Sequence, residues 1–404
     1  MDSTTGRPLG MRLSQRLLLG LLSLGVAAAI WLPCVHLLYR WSSGATSPPG
    51  KLSPKARRLA ARHLRLWTDP DLRRGEIEHM RARNAEWDFM GRTFLVLALA
   101  NAALREPATK PQMLEVMDRI IDETLRLDAE EGMYFFLMPY AKSAPYVLKP
   151  PRSQFVDGEI ALMLAARRAV AEKPAYKAPL RQRVDLMVAR MSRSPVLCAE
   201  SYPNECWTFC NAVGLAAIRI GDVLDGTDHS EFLRRWMAAA KAKLIDERTG
   251  LLISSFTVNS QWMDGPEGTT IWAVAHFLQI IDPAFAADQY ARARKALGRS
   301  VLGFGYSREW PPTWEGALDV DSGPVVPGLG ASASASGLAI VGARAFGDAD
   351  FAASLVASLD LAGFPIREDG TLRYAASNQV GDAVVLYALV QGPLWERITK
   401  GAAR

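Results

Sequence analysis

Three of the chain's four cysteines lie in one short stretch, Cys198 to Asn211, beside the carboxylates Glu200 and Glu205 and the indole of Trp207. The stretch runs directly into an apolar segment, Ala212 to Leu224, that reads as helix. Pro203 suits a first helical turn, where its missing N–H costs nothing. A helix starting there would set Cys206 and Cys210 one turn apart on one face, with Trp207 and Asn211 as the neighbouring pair. A thiol near a helix N-terminus is more acidic than usual and can act as nucleophile, proton carrier or redox partner. The plainer reading is two small core residues, because free cysteine packs as a hydrophobe. The spacing lacks the second ligand pair of a structural zinc site, and with Cys34 in an apolar run the four cysteines make no disulfide framework.

Two further segments offer acid/base groups. Trp87-Asp88-Phe89-Met90-Gly91-Arg92 sets a carboxylate among aromatics, which raises its pKa toward that of a general acid; as a helix cap or a partner of Arg92, Asp88 would be scaffolding. Asp157-Gly-Glu159 would add the second carboxylate that acid/base chemistry needs, or would merely complement a helix dipole. His276, one turn after Trp272, reads first as a hydrogen-bonded core histidine. The placement of the other histidines disfavours both Ser-His-Asp catalysis and a histidine-rich metal centre, and no Gly-rich phosphate loop is present.

Helices must position these groups, because helical periodicity dominates and strand-like alternation is nearly absent. The pattern predicts an all-α domain over 54–404, with helices near 54–67, 85–105, 111–127, 153–172, 176–192, 204–224, 230–244, 265–281, 283–298, 333–346, 348–361 and 378–391. Short turns alternate with long segments, as expected of antiparallel pairs closed into an (α/α)6 toroid. All long loops would then gather at one mouth, and so would Trp87, Asp88, Asp157, Glu159, Ser201, Cys206, Trp207, Cys210, Asn211, Trp262, Glu309, Trp310, Asp319, Asp321, Arg373 and Tyr374. Ahead of the domain come a short tail (1–16), an apolar run (17–39) and a linker (40–53). The run from Leu17 to Tyr39 has no charged residue and exceeds the roughly 20 residues that cross a bilayer, so we read it as an uncleaved single-pass anchor. Basic residues flank it on both sides, and the orientation stays open. A composition of 49% hydrophobic and 22% charged residues is that of a globular chain with ample core, while a net charge of +5 without a nucleic-acid motif points to no nucleic-acid partner.

Several motifs share their order and spacing with one family: Glu205-Cys-Trp-Thr-Phe-Cys-Asn-Ala-Val213, Leu244-Ile-Asp-Glu-Arg-Thr-Gly250, Thr269-Thr-Ile-Trp272 with Asp282-Pro-Ala-Phe285, Asp319-Val-Asp-Ser-Gly323 and Thr371-Leu-Arg-Tyr374. In these the chain resembles the linalool dehydratase/isomerase family of bacterial (α/α)6-barrel proteins, whose founding activity dehydrates and isomerises a small allylic terpene alcohol. The resemblance implies the same barrel and, with the apolar run, attachment to a bacterial inner membrane. It aligns the second family cysteine with Cys210 and the first with a position near Ser201, which leaves Cys206 as an extra thiol. The catalytic histidine falls on Glu159, an active-site tyrosine on Gly268, and the catalytic aspartate on Asp88. These departures point away from linalool itself.

The resulting expectation is a lyase or isomerase using acid/base chemistry on a small hydrophobic, terpenoid-like alcohol or alkene. Asp88 and Glu159 would be acid and base, and Cys210 a second proton carrier. Trp87, Ser201, Cys206, Trp207, Asn211, Trp272, Glu309 and Tyr374 would line the substrate site, with no cofactor and no metal. Family members can assemble into rings, which makes a homo-oligomer a further expectation. The alternatives are a membrane-tethered carbohydrate enzyme of the same toroid class, with tryptophans stacking on sugar rings, and a non-catalytic scaffold.

Overall fold

The computed structural model describes residues 13–41, 50–316, 318 and 323–402; the expected tail up to residue 12, linker residues 42–49, and Asp319 and Asp321 lie outside the described residues. Six helices form a closed inner ring: α3 (Ala85–Arg105), α5 (Gln154–Val170), α7 (Thr208–Asp225), α9 (Gly268–Leu278), α11 (Ala333–Ala345) and α13 (Gln379–Val390). Each packs on the next, and α13 returns to α3. Six outer helices alternate with them along the chain: α2 (Pro54–Thr68), α4 (Lys110–Glu131), α6 (Lys177–Met191), α8 (Ser230–Lys243), α10 (Pro283–Ala296) and α12 (Ala349–Ala362).

Residue pattern decides which ring a helix joins. Every residue of α5 is buried, as a helix packed on all sides requires. In α4 only Met113, Val116, Met117, Ile120, Ile121 and Thr124 are buried, a single stripe at helical spacing that faces inward. Each such aliphatic side chain contributes about 1.5–3 kcal/mol when fully buried. Side-chain caps mark the starts: the Ser53 hydroxyl accepts from Ala56 N before Pro54 opens α2, and the Asn84 side chain accepts from Trp87 N at the head of α3.

The fold is mostly helical, and the expectation of an all-α chain needs correction, because the long segments at the mouth fold into small antiparallel sheets. Strands β1 (Cys206–Trp207), β2 (Ser255–Phe256) and β3 (Trp262–Asp264) form one. A second joins β4 (Gly298–Val301), β5 (Phe304–Arg308), β6 (Val325–Val326) and β7 (Ala331–Ser332) in the order β4-β5-β7-β6, and the hairpin β8 (Pro365–Glu368) and β9 (Thr371–Tyr374) is the third. Strands this short give no alternation to read in the sequence. The helix expected from 204 begins only at Thr208. Asn204 is left-handed (φ 56), and Cys206 and Trp207 pair with Phe256 and Ser255, so strand pairing wins over helix initiation at Pro203. Cys206 and Cys210 therefore do not share a helical face.

Among the described residues, two more helices of ten residues or longer lie outside the ring. α1 (Leu13–Trp41) is long and apolar enough to cross a membrane over Leu13–Tyr39, and its outer end is exposed throughout. α14 (Pro393–Ala402), absent from the sequence reading, packs on α3, α5 and α7 at the end opposite the mouth. Trp395 stacks there on His276 with centroids 4.9 Å apart and donates to the His276 carbonyl at 3.2 Å, while His276 Nε2 meets the Tyr387 hydroxyl at 2.6 Å. Burial lowers the His276 pKa to about 4, so the ring is neutral and serves as packing at the closed end.

Candidate active site

The close crossing of α5 and α7 assembles the reactive cluster. A Cβ added at Gly158 would lie 3.3 Å from both the Cys210 carbonyl oxygen and Gly214 N, so glycine is what lets the two backbones approach. The crossing brings Glu159 of α5 against Cys210 of α7, with Ser201 supplied by the segment before β1. Glu159 is 1% exposed, and its Oε2 has no hydrogen-bond partner. Desolvation pushes its pKa up to about 8, against a smaller lowering by the Thr93 hydroxyl that faces it from α3. At neutral pH the group is a carboxylic acid holding an unspent proton.

Cys210 is buried, and burial raises its thiol pKa, with Glu159, Glu86 and Glu205 adding repulsion against a thiolate and the Ser201 hydroxyl working the other way. A neutral thiol here is not a ready nucleophile, and it keeps its proton across the physiological range. Glu86 of α3 completes the cluster: Oε1 accepts from Met138 N at 2.8 Å and Oε2 from the Tyr140 hydroxyl at 2.5 Å. Tyr140 stacks edge-on against Tyr202 at 5.2 Å between centroids. Two donors converge on this one carboxyl, and it lies within electrostatic reach of the same Cys210 thiol as Glu159 does.

Glu86, Thr93, Tyr140 and Tyr202 escaped the sequence reading. An inner helix is buried on both faces, so its pattern did not tell Glu86 from Asp88 two residues on. Asp88 faces the outer layer: Arg92 Nε donates to Asp88 Oδ2 at 3.1 Å, and Arg92 Nη1 donates to Glu123 Oε1 at 3.0 Å. Burial still raises the Asp88 pKa, against the lowering by Arg92. Asp157 is likewise tied, to Arg152 at 2.6 Å and Arg183 at 2.7 Å.

The other expected residues scatter. Trp87 is half-buried at the head of α3. Trp207 precedes α7, its N–H 3.4 Å from Ser201 Oγ and its indole donating to Glu205. Asn211 is spent on backbone, accepting from Ala199 N at 3.0 Å and donating to the carbonyls of Ala199 and Trp207. Cys206 lies against Cys198, away from Cys210 in its surroundings. Trp272 points to the outer layer, its Nε1 2.8 Å from Ser307 Oγ and its ring beside Tyr290 and Phe351. Tyr374 donates to Asp360 at 2.8 Å, and Trp262 is exposed with its indole on the Lys243 carbonyl. Glu309 Oε1 accepts from Thr269 N and its hydroxyl at 3.1 and 2.5 Å at the head of α9, with Oε2 unpartnered. At Gly268, aligned with the family tyrosine, a Cβ would sit 2.5 Å from the Arg308 carbonyl, so the site is closed to any side chain. Among the described residues no group of three or more His, Cys, Asp and Glu is arranged to hold a metal ion.

Residues 157–380 match the family model described as linalool dehydratase/isomerase. No curated protein matches the sequence. Among solved structures, the unsaturated glucuronyl hydrolase responsible for degradation of glycosaminoglycan from Bacillus sp. GL1 is similar with a TM-score of 0.52 at 15% identity, over 83% of this chain and 94% of that one. A GH76 alpha-mannanase from Bacteroides thetaiotaomicron aligns with a TM-score of 0.49 at 12% identity, over 77% and 87% of the two chains. At such identity the first likeness speaks for the fold alone.

Proposed function

The chain belongs to the linalool dehydratase/isomerase family, and from that premise we propose a lyase or isomerase acting on a small hydrophobic alcohol or alkene, held to the membrane by α1. The carrying observation is Glu159: a carboxyl with a pKa near 8, an unpartnered oxygen, and a neutral thiol beside it. In the dehydrating direction Glu159 gives its proton to the hydroxyl of an allylic alcohol and the C–O bond breaks, releasing water. Tyr202 and Trp207 supply ring faces for the cation that forms. The Glu86 carboxylate takes a proton from the adjacent carbon and the alkene results; proton return to Glu159 through Cys210 closes the cycle. The Arg92 and Glu123 contacts of Asp88 favour a positioning role for it over direct proton transfer.

The test is product formation from a panel of allylic terpene alcohols and related alkenes in detergent. Glu159→Gln should lose about 100-fold or more in kcat/KM, the range expected of a general acid. The wild-type kcat/KM should fall as pH rises through about 8, where Glu159 gives up its proton. A flat profile with an active Glu159→Gln variant would sink the proposal. A carbohydrate reading is favoured by one feature, the aromatic rim of Tyr134, Tyr140 and Trp262 exposed at the mouth. Unsaturated uronyl oligosaccharides therefore belong in the same panel, and turnover of those alone would transfer the assignment.

A further inference from the structure

We propose that the edge of the mouth formed by the β4–β5 hairpin and the end of α12 is seated in the bilayer, so that an apolar substrate enters the barrel from the lipid rather than from water. The inference rests on the reading of α1 as a membrane anchor and adds where the barrel lies on the membrane. α1 packs on α12, and its half-buried residues near the exit are Val35, His36 and Tyr39. His36 and Tyr39 meet Phe304 of the hairpin with centroids 6.2 and 5.9 Å apart, and Gly303 leaves room for the His36 ring. From Val35 toward the N-terminus every described residue of α1 is exposed except the half-buried Ala28, so α1 parts from the barrel near Val35. From Leu13 to Cys34 it has about 22 residues left, roughly 33 Å of helix at 1.5 Å per residue, which matches a hydrocarbon core of about 30 Å. The hairpin is thus held at the level of the headgroups.

The residues at that level are apolar and exposed. Val301 and Leu302 form the hairpin tip, 51% and 47% exposed. Leu361 lies one turn beyond Ser358, whose hydroxyl donates to the Gly305 carbonyl at 2.6 Å, and so shares the face of α12 that carries the hairpin. It is 41% exposed, and Phe364 just past the helix is 65% exposed. Leu302 and Phe364 both take left-handed backbone (φ 50 and 52), which large side chains seldom do. Four large apolar side chains beside an apolar helix end are the composition of an interfacial anchor, which buries its apolar face about 5–10 Å below the headgroups. The hairpin also belongs to the segment leading from α10 to the mouth end of α11, so the lipid-facing edge adjoins the opening.

The experiment uses the full chain, with Cys34→Ser, reconstituted in phosphatidylcholine/phosphatidylglycerol vesicles; the three remaining native cysteines are buried. An environment-sensitive fluorophore is attached at Leu302→Cys, Phe364→Cys, Leu24→Cys in α1, or Asp185→Cys on exposed α6, with phospholipids brominated high on the acyl chain as quencher. Quenching and a blue shift at 302 and 364 as well as 24, with none at 185, are expected. Quenching at 24 without quenching at 302 and 364 would overturn the docking while leaving the anchor standing. No quenching at 24 would overturn the anchor and the docking with it.

Discussion

Glu159 carries opposite consequences for stability and chemistry. In the fold its pKa is about 8, against an ordinary value of 4.5. Between those values the unfolded chain binds fewer protons than the native one, so stability falls as pH rises from about 4.5 to about 8. Glu159→Gln keeps a neutral side chain at the site and removes that penalty. At pH 8 the variant should be more stable by roughly 2–4 kcal/mol, seen as a higher Tm, while losing activity. A lower Tm at that pH would mean that the carboxyl is not held neutral. Such a cost is the kind that a catalytic group imposes on its scaffold.

At the scale of elements, the site depends on how closely α5 and α7 cross. The atoms that a Gly158 side chain would meet are backbone, the Cys210 carbonyl and Gly214 N, which cannot swing aside as a side-chain end can. Gly158→Ala should therefore cost about 1–3 kcal/mol in urea unfolding and lower kcat by parting Glu159 from Cys210. Unchanged kcat would separate the crossing from the chemistry. The mouth sheets act similarly: β1 holds Trp207 in extended backbone and delays the start of α7 to Thr208, which turns Cys206 toward Cys198 and leaves Cys210 as the thiol beside Glu159.

For the molecule as a whole, the ring must be closed between its first and last helices. Lys55 of α2 meets Asp360 of α12 at 2.5 Å, both almost fully buried, and Tyr374 of β9 donates to the same carboxylate at 2.8 Å. Burial lowers the Lys55 pKa while Asp360 raises it, which is the usual tension of a buried pair. Lys55→Met removes one partner and leaves a buried carboxylate, at an expected cost of roughly 3–5 kcal/mol. The urea midpoint should fall with the slope unchanged, and kcat/KM should hold, because the seam lies in the outer layer. A change of slope would mean that the ring opens in stages.

The sequence by itself determined the layered helical ring and the apolar N-terminal helix, because both are written in local periodicity: single stripes for outer helices, apolar surface all round for inner ones. It also placed Glu159 and Cys210 among the candidates through their positions near the starts of inner helices, and Ser201 through the family resemblance. Tertiary structure alone decided which candidates meet. Asp88 and Glu86 are two residues apart on one helix, and only the packing of Arg92 against one and of Tyr140 against the other assigns them to the outer layer and the mouth. Tyr140 reaches the site from a loop without periodicity, Trp272 and Tyr374 turn outward through contacts far away in the chain, and α14 closes the barrel by a stack on His276. Such contacts depend on distance in space, which composition and spacing do not encode.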